Sequence, residues 1–243
     1  MKHVTAIIVA AGKGTRMGPN VDKLFLEVAG RPVVAHTWST FNSSPEIDEI
    51  ILVVRAGMEE DFRKLAETIS CQKSFRLVPG GAERQNSVWN GLQALSSGAD
   101  IVAIQDGARP CTTHQIISNC LAAARKKGAA VAAQKVTDTL KESDDNRLIV
   151  RNVDRSKLWA VQTPQVFKVD VIRRALREVI NRGLIVTDDT AACELIGQPV
   201  QLIESTTPNP KVTTQGDLAI IQSLLARFNS PAGTASENAF GGF

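Results

Sequence analysis

The chain has 243 residues, a length that suits one large α/β domain. Hydrophobic residues make up 43% and charged residues 22%, which excludes a disordered or collagen-like chain. The net charge of +3 argues against nucleic-acid binding, and no apolar run reaches the roughly 18 residues of a membrane span.

Apolar strands and amphipathic helices alternate along most of the chain. Short runs rich in apolar residues predict strands at 5–9, 47–54, 75–78, 101–104, 129–133 and 200–203. Helical periodicity predicts helices at 31–41, 58–69, 84–95, 113–127, 168–181, 187–196 and 215–228. This alternation predicts an α/β fold with a mostly parallel sheet and helices on both faces.

One segment interrupts this alternation. Residues 138–142 and 147–153 have the pattern of two strands joined by a Ser-Asp-Asp-Asn turn, which predicts an inserted β-hairpin. Apolar side chains such as Leu148 and Val150 on this hairpin need a cover, and a second copy of the chain is the expected one. The alternative is that the hairpin folds back onto its own domain. Residues 1–228 are predicted to form a single domain, with 138–157 as a dimerisation arm.

The first strand and the cysteines indicate the compartment in which the protein works. The first strand runs directly into a glycine-rich loop, without the cleavage site of a signal peptide. Four separated cysteines form no Cys-x-x-Cys motif, which is typical of reduced thiols in the cytosol. A cytoplasmic enzyme is therefore predicted. Residues 229–243 are small, polar and glycine-rich, and are predicted to be a disordered tail.

A glycine-rich loop, Ala-Ala-Gly-Lys-Gly-Thr-Arg-Met-Gly at 10–18, follows the first strand. Its glycines let backbone N–H groups approach a phosphate, although the spacing matches neither a Walker A loop nor the dinucleotide fingerprint. Lys13, Arg16 and Lys23 add three cations at the carboxyl end of the strand, where open α/β sheets bind ligands. A triphosphate suits this arrangement, and a solvated surface loop is the alternative.

Two further motifs follow predicted strands. Gly-Gly-Ala-Glu-Arg-Gln-Asn-Ser-Val at 80–88 indicates a polar pocket at a helix start, with Arg84 and Ser87 on one helix face. A capped helix N-terminus is the alternative. Gln-Asp-Gly-Ala-Arg-Pro at 105–110 follows a buried strand, where the single carboxylate of Asp106 can hold a divalent ion that bridges phosphates. The alternative for Asp106 is that it caps the following turn or pairs with Arg109.

Seven motifs in order carry a resemblance to a known family. Those above are followed by Val-Asp-Arg at 153–155, Gln-Thr-Pro-Gln at 162–165, Thr-Asp at 187–188 and Lys-Val-Thr at 211–213. Over residues 4–226 the chain resembles the 2-C-methyl-D-erythritol 4-phosphate cytidylyltransferases of the non-mevalonate isoprenoid pathway. The resemblance implies a Rossmann-like nucleotidyltransferase fold and a homodimer formed by the β-arm. It also implies that CTP and methylerythritol phosphate react with each other, with Mg²⁺ as the cofactor, to give the CDP-alcohol and pyrophosphate.

The resemblance also implies residue roles. Arg16 and Lys23 would stabilise the transition state at the α-phosphate, and Asp106 would hold Mg²⁺. Arg155 and Lys211 would grip the methylerythritol phosphate. Further substrate-binding positions are Ala10, Ala11, Gly12, Lys13, Gly14, Gly81, Arg84, Ser87, Arg109, Thr139, Thr163 and Thr187. Among these residues, Thr139 and Arg155 would reach across the dimer.

Three positions depart from the family pattern. Asp22 replaces a common proline and is expected to lower the positive potential near Lys23. Ala82 replaces an acidic residue and is expected to weaken one nucleotide contact, while Gln105 replaces a common histidine.

Two other functions stay open for this chain. One is a ribitol 5-phosphate cytidylyltransferase, which shares the nucleotide motifs, and the other is a catalytically silent nucleotide-binding protein.

Overall fold

A computed structural model describes residues 3–12, 14 and 22–228. Lys13 and Arg16, and the predicted tail at 229–243, lie outside these residues. In chain order the elements are β1 (His3–Ala10), β2 (Glu27–Val28), β3 (Arg31–Pro32), α1 (Val33–Ser43), β4 (Glu49–Val54), α2 (Glu59–Thr68), β5 (Ser74–Pro79), α3 (Arg84–Gln93), β6 (Ala99–Asp106), α4 (His114–Lys127), β7 (Ala129–Lys135), β8 (Leu140–Ser143), β9 (Ile149–Val153), β10 (Trp159–Lys168), α5 (Val169–Asn181), α6 (Asp189–Leu195), β11 (Gln201–Glu204) and α7 (Gly216–Phe228).

A seven-stranded sheet organises the chain, in the order β11-β7-β10-β6-β1-β4-β5. All neighbours pair in parallel except β10, which is antiparallel to both β6 and β7. One apolar cluster packs α1, α2, α4 and α7 on one face, and a second packs α3, α5 and α6 on the other. The predicted α/β class, with a mostly parallel sheet covered on both faces, is confirmed.

Strand β10 was not predicted. Its sequence includes Gln162-Thr163-Pro164-Gln165, and proline within a polar run argues against a central strand. The structure accommodates Pro164 where the register of β10 against β7 is interrupted, between Val161 and Gln165. Beyond that interruption Val166 and Phe167 are fully buried. The sheet therefore gains one central antiparallel strand that carries the Gln-Thr-Pro-Gln motif.

The predicted hairpin is present as β8 and β9, which pair with each other in a separate two-stranded sheet. Leu148, Ile149 and Val150 are 66%, 68% and 61% exposed. These side chains do not pack onto their own chain, so the fold-back alternative is wrong for the apolar part of the arm.

Within the described ranges no helix is long and apolar enough to cross a membrane.

An ion pair between the buried carboxylate of Glu49 and half-exposed Arg76, at the amino end of β4, gives a test of stability against pH. Glu49 Oε1 accepts a hydrogen bond from Arg76 at 2.5 Å, and Oε2 accepts one from Ser96 at 2.9 Å. Burial raises the pKa of Glu49, but the hydrogen bonds from Arg76 and Ser96 outweigh it and lower the pKa below 4.5. The pair therefore stabilises the fold above that pH, and this contribution is lost as the pH falls through the lowered pKa.

We expect Glu49→Gln to lower the free energy of unfolding at pH 7 by about 1 kcal/mol, since half-exposed Arg76 is screened by solvent. Urea denaturation at pH 7 and at pH 3 measures this effect. The difference between wild type and variant should shrink at pH 3, and a constant difference would contradict the assigned direction of the pKa shift.

Candidate active site

A cavity of about 560 Å³ opens at the carboxyl ends of β1 and β6. Chain segments distant in sequence meet there because parallel strands end at the same edge of the sheet. The cavity is lined by Val9, Ala11, Gly12, Lys23, Leu24, Gly81, Ala82, Glu83, Arg84, Ser87, Asp106, Gly107, Ala108 and Lys211. Eight of the predicted site residues therefore lie around one cavity.

The wall formed by residues 80–87 depends on glycine. Gly81 N–H donates to Ser87 Oγ at 3.1 Å, and Glu83 and Asn86 form a capping box at the start of α3. A Cβ at Gly81 would lie 2.3 Å from the Asn86 Cβ, which no real contact allows. Close packing of this loop turns Arg84 and Ser87, one helical turn apart, toward the cavity. The helix cap and the predicted polar pocket thus coexist.

Asp106, the last residue of β6, lies among three cations. Its Oδ2 is 2.8 Å from Lys211 Nζ and 3.5 Å from Arg109 Nε, while its Oδ1 is 3.5 Å from Arg84 Nε. Burial raises the pKa of Asp106, but Lys211, Arg84 and Arg109 together bring it well below its usual range. The carboxylate is therefore ionised at neutral pH, and the cluster around it carries excess positive charge that suits bound phosphates.

The segment after β11 brings Lys211 into the site. Val212 N–H donates to Ala108 O at 2.8 Å, and Arg109 donates to Asn209 O at 2.7 Å. Lys23 Nζ donates to Val212 O at 2.9 Å, so this segment carries Lys211 and also anchors Lys23, and both lysines line the cavity. A Cβ at Gly14 would lie 3.1 Å from the Lys23 stem, so glycine there leaves room for the lysine.

The other predicted residues are placed differently. Thr163 Oγ accepts a hydrogen bond from Asp106 N–H at 3.1 Å, so it fixes the backbone of Asp106 from β10. Ala10 is buried at the end of β1. Thr139, Arg155 and Thr187 are exposed and do not line the cavity, and Arg155 donates to Thr137 O at the base of its own arm. Within one chain these three side chains are not brought to the phosphate cluster.

The three departures from the family pattern have clear surroundings. The Asp22 carboxylate contacts Arg55 at 2.7 Å and accepts from Leu24 N–H, so Arg55 compensates the charge expected to act on Lys23. Ala82 lines the cavity and offers no polar contact there. Gln105 donates to Thr112 at 2.9 Å, on the side of β6 opposite Asp106. Gln105 therefore does not face the cavity.

Sequence reasoning missed Asp189 as a site residue. It is the first residue of α6 and is fully buried, and its Oδ2 accepts from Arg84 at 2.7 Å. Acidic residues are common at helix starts because they interact favourably with the helix dipole. Asp189 therefore resembled an ordinary first residue of a helix in the sequence. The one available signal was the pair of adjacent carboxylates, Asp188 and Asp189, directly after Thr187.

The donor set fits a magnesium ion held together with a substrate. Asp106 turns its carboxylate into the cavity, whereas the Glu83 side chain caps α3. No group of three or more His, Cys, Asp or Glu side chains in the described part of the chain could hold a metal without further ligands. Mg²⁺ is commonly bound by one or two carboxylates plus substrate phosphates, and Asp106 beside the cations Lys211, Arg109 and Arg84 matches that pattern.

Comparison with known proteins gives a consistent result. A family model described as 2-C-methyl-D-erythritol 4-phosphate cytidylyltransferase matches residues 4–227. A protein of that name from Alkaliphilus oremlandii is 42% identical over 226 residues, covering 93% of this chain and 96% of the relative. Another, from Bacillus velezensis, is 41% identical with the same coverage.

Solved structures agree with the sequence matches. The 4-diphosphocytidyl-2C-methyl-D-erythritol synthase of Anaerococcus prevotii superposes with a TM-score of 0.81 at 32% identity, covering 93% of this chain and 99% of that one. The 2-C-methyl-D-erythritol 4-phosphate cytidylyltransferase of Thermus thermophilus gives a TM-score of 0.75 at 30% identity, covering 90% and 98%. The fold, the ordered motifs and these matches agree, and the chain belongs to the 2-C-methyl-D-erythritol 4-phosphate cytidylyltransferase family.

Proposed function

We propose that this chain joins CTP and 2-C-methyl-D-erythritol 4-phosphate to give 4-diphosphocytidyl-2-C-methyl-D-erythritol and pyrophosphate. Membership of the family supports this activity. The observation that carries it is the convergence of Lys23, Arg84 and Lys211 with Asp106 around one cavity at the carboxyl ends of the strands. That arrangement suits two phosphorylated substrates that must be held side by side.

The reaction is an in-line displacement at the α-phosphorus of CTP. An oxygen of the methylerythritol phosphate forms the new P–O bond, and the bond between the α-phosphorus and the bridging oxygen breaks, so that pyrophosphate leaves with the electron pair. The attacking oxygen is already anionic, so no general base is needed. Catalysis then consists of aligning two anions and neutralising charge that grows on the α-phosphate and the leaving group.

The residues divide this task. Lys23 and Arg16 stabilise the charge that develops at the α-phosphate. Gly12, Gly81, Arg84 and Ser87 hold the nucleotide. Asp106 would hold Mg²⁺, which when bound would supply positive charge to the phosphates of the nucleotide. The proposed contacts for the methylerythritol phosphate are Lys211, Arg109 and Thr163, with Thr139 and Arg155 from a second copy. Thr187, which the family resemblance also implies, does not line the cavity within one chain.

A homodimer formed through the arm belongs to this proposal. The exposed apolar stretch Leu148–Val150 supports it, because such a patch on a projecting hairpin indicates a contact surface. Exposed Thr139 and Arg155 lie at the arm's base and would approach the partner's cavity. Residues 1–228 as one domain fit the extent of the family match. A cytoplasmic location stays a prediction from the sequence.

We expect Ile149→Asp to convert the dimer into a monomer, since a charge in an apolar contact loses its hydration without gaining a partner. Sedimentation equilibrium of the wild type and variant measures this change. Glu142→Gln on the neighbouring strand of the arm is the control and should leave the dimer intact. A variant that stays dimeric with aspartate at position 149 would contradict the proposed role of the arm.

Pyrophosphate release with CTP and each candidate sugar phosphate tests the function. Turnover with 2-C-methyl-D-erythritol 4-phosphate is expected to exceed turnover with D-ribitol 5-phosphate by orders of magnitude. Dominant turnover of ribitol 5-phosphate would overturn the substrate assignment. CTP binding without turnover of either compound would indicate a silent nucleotide-binding protein instead.

A further inference from the structure

A fully buried carboxylate outside the set of predicted site residues is the starting observation. Asp189 is 0% exposed, and an ionised carboxyl group in that position is costly unless it is paired. Its Oδ2 is paired with Arg84 at 2.7 Å, but its Oδ1 has no hydrogen-bond partner among the described residues. A buried carboxylate with one unsatisfied oxygen contributes little to the stability of the fold. Its role is therefore sought in its contact with Arg84.

Arg84 is shared between two carboxylates. One terminal nitrogen of its guanidinium lies 2.7 Å from Asp189 Oδ2, while its Nε lies 3.5 Å from Asp106 Oδ1. The first distance is that of a strong charge-assisted hydrogen bond, and the second is at the outer limit for a hydrogen bond. The guanidinium is therefore drawn toward Asp189 and contacts Asp106 only weakly.

The two oxygens of Asp106 consequently differ. Oδ2 faces Lys211 at 2.8 Å and Arg109 at 3.5 Å. Oδ1 has only the long contact with Arg84 among the residues that the structure describes. Oδ1 is thus the oxygen more open to another cation, and Arg84 is the group positioned to compete for it.

The carboxylate that restrains Arg84 is itself firmly placed. Asp189 N–H donates to Gln165 Oε1 at 3.1 Å, and Gln165 donates in turn to the Asp188 carboxylate at 2.9 Å. Gln165 lies on β10, two residues after Thr163, whose hydroxyl accepts from Asp106 N–H. The backbone N–H groups of Asp106 and Asp189 are therefore both hydrogen-bonded to side chains of β10, which fixes the two residues that contact Arg84.

We propose that Asp189 is a positioning residue that holds Arg84 away from Asp106 and so leaves Oδ1 of Asp106 to the divalent cation of the CTP complex. The inference rests on the proposed function, because it takes Asp106 as the magnesium ligand. Without the charge of Asp189, the Arg84 guanidinium closes on Asp106 and competes with the metal for that oxygen. The side chain acts through Arg84 and touches no substrate itself.

The dissociation constant of CTP, measured by calorimetry in EDTA and in Mg²⁺, gives a direct readout without turnover. We define the magnesium effect as the ratio of these two constants. Asp189→Asn is nearly isosteric and is expected to reduce the magnesium effect about tenfold, the usual scale for residues behind a metal ligand. Glu49→Gln removes another buried, arginine-paired carboxylate remote from the cavity and should leave the magnesium effect unchanged.

The double variant Arg84→Gln/Asp189→Asn separates positioning from a structural role. Removal of the competitor should restore the magnesium effect toward the wild-type value, whereas mere loss of packing at Asp189 would not be reversed by a second substitution. A single Asp189→Asn variant that unfolds at a lower temperature but keeps the magnesium effect overturns the proposal. If Asp189→Asn does not fold, Arg84→Gln alone decides. Its magnesium effect should be no lower than that of the wild type, and a tenfold fall overturns the inference.

The magnesium effect also distinguishes the positioning role of Asp189 from the metal-binding role of Asp106. Asp106→Asn should abolish the magnesium effect if Asp106 binds the metal. A normal magnesium effect in Asp106→Asn would refute the proposed metal role. A lost effect in Asp106→Asn with a normal one in Asp189→Asn would overturn only the positioning role.

Discussion

Replacement of Lys23 by alanine is expected to lower turnover by about 100- to 1,000-fold while the fold stays intact, since one preorganised donor contributes roughly 2.7–4 kcal/mol to such a transition state. The ammonium group lines the cavity and donates to Val212 O at 2.9 Å in the segment that carries Lys211. Its charge therefore enters the site already oriented. The sequence analysis assigns the same role to Arg16, and Arg16→Ala is expected to lose turnover on the same scale.

Steady-state pyrophosphate release with saturating CTP measures the Lys23→Ala effect. Lys23→Met is the matched variant, because it keeps the aliphatic stem beside Gly14 and removes only the charge. Both variants should lose turnover equally if charge is the cause, and Lys64→Ala on the exposed face of α2 should behave as wild type. Near-normal turnover of Lys23→Met would refute the assigned role of Lys23.

The elements that the sequence predicted well are those with one dominant signal. The runs in β1, β4 and β6 are apolar without interruption because both faces of these strands are buried, and each was placed within a few residues. Strand β10 was missed because Pro164 and three polar neighbours resemble a loop. Only the pairing of β10 with β6 and β7, which are distant in sequence, makes this segment a strand.

The site was predictable to the extent that its residues lie in motifs next to strand ends. Lys23, Arg84 and Asp106 follow that rule, and the parallel sheet brings them together. Asp189 does not follow it, because its meaning depends on a contact with Arg84 across 105 residues of chain. Thr139 and Arg155 illustrate another limit, since a role that needs a second copy of the chain leaves no contact within one copy.

Asp106→Asn is expected to affect catalysis and nucleotide binding in opposite directions. Loss of the carboxylate removes the proposed magnesium ligand, and several kcal/mol of metal stabilisation correspond to a fall in turnover of more than about 1,000-fold. The same change removes the counter-ion of Lys211 and Arg109, whereas Arg84 keeps its pairing with Asp189. In EDTA the variant should therefore bind the triphosphate of CTP as tightly as the wild type or more tightly, because Lys211 and Arg109 have lost their counter-ion.

This opposition makes the Asp106 prediction specific, because a variant that is only damaged loses both properties together. Turnover is measured by pyrophosphate release in Mg²⁺, and CTP affinity by calorimetry in EDTA. Asp170→Asn replaces an exposed carboxylate on α5 and is the control that should change neither quantity. Turnover within tenfold of wild type in Asp106→Asn would remove Asp106 from the chemistry. Weaker CTP binding in EDTA would show instead that the carboxylate organises the cations around it, and that their charge alone does not create the phosphate site.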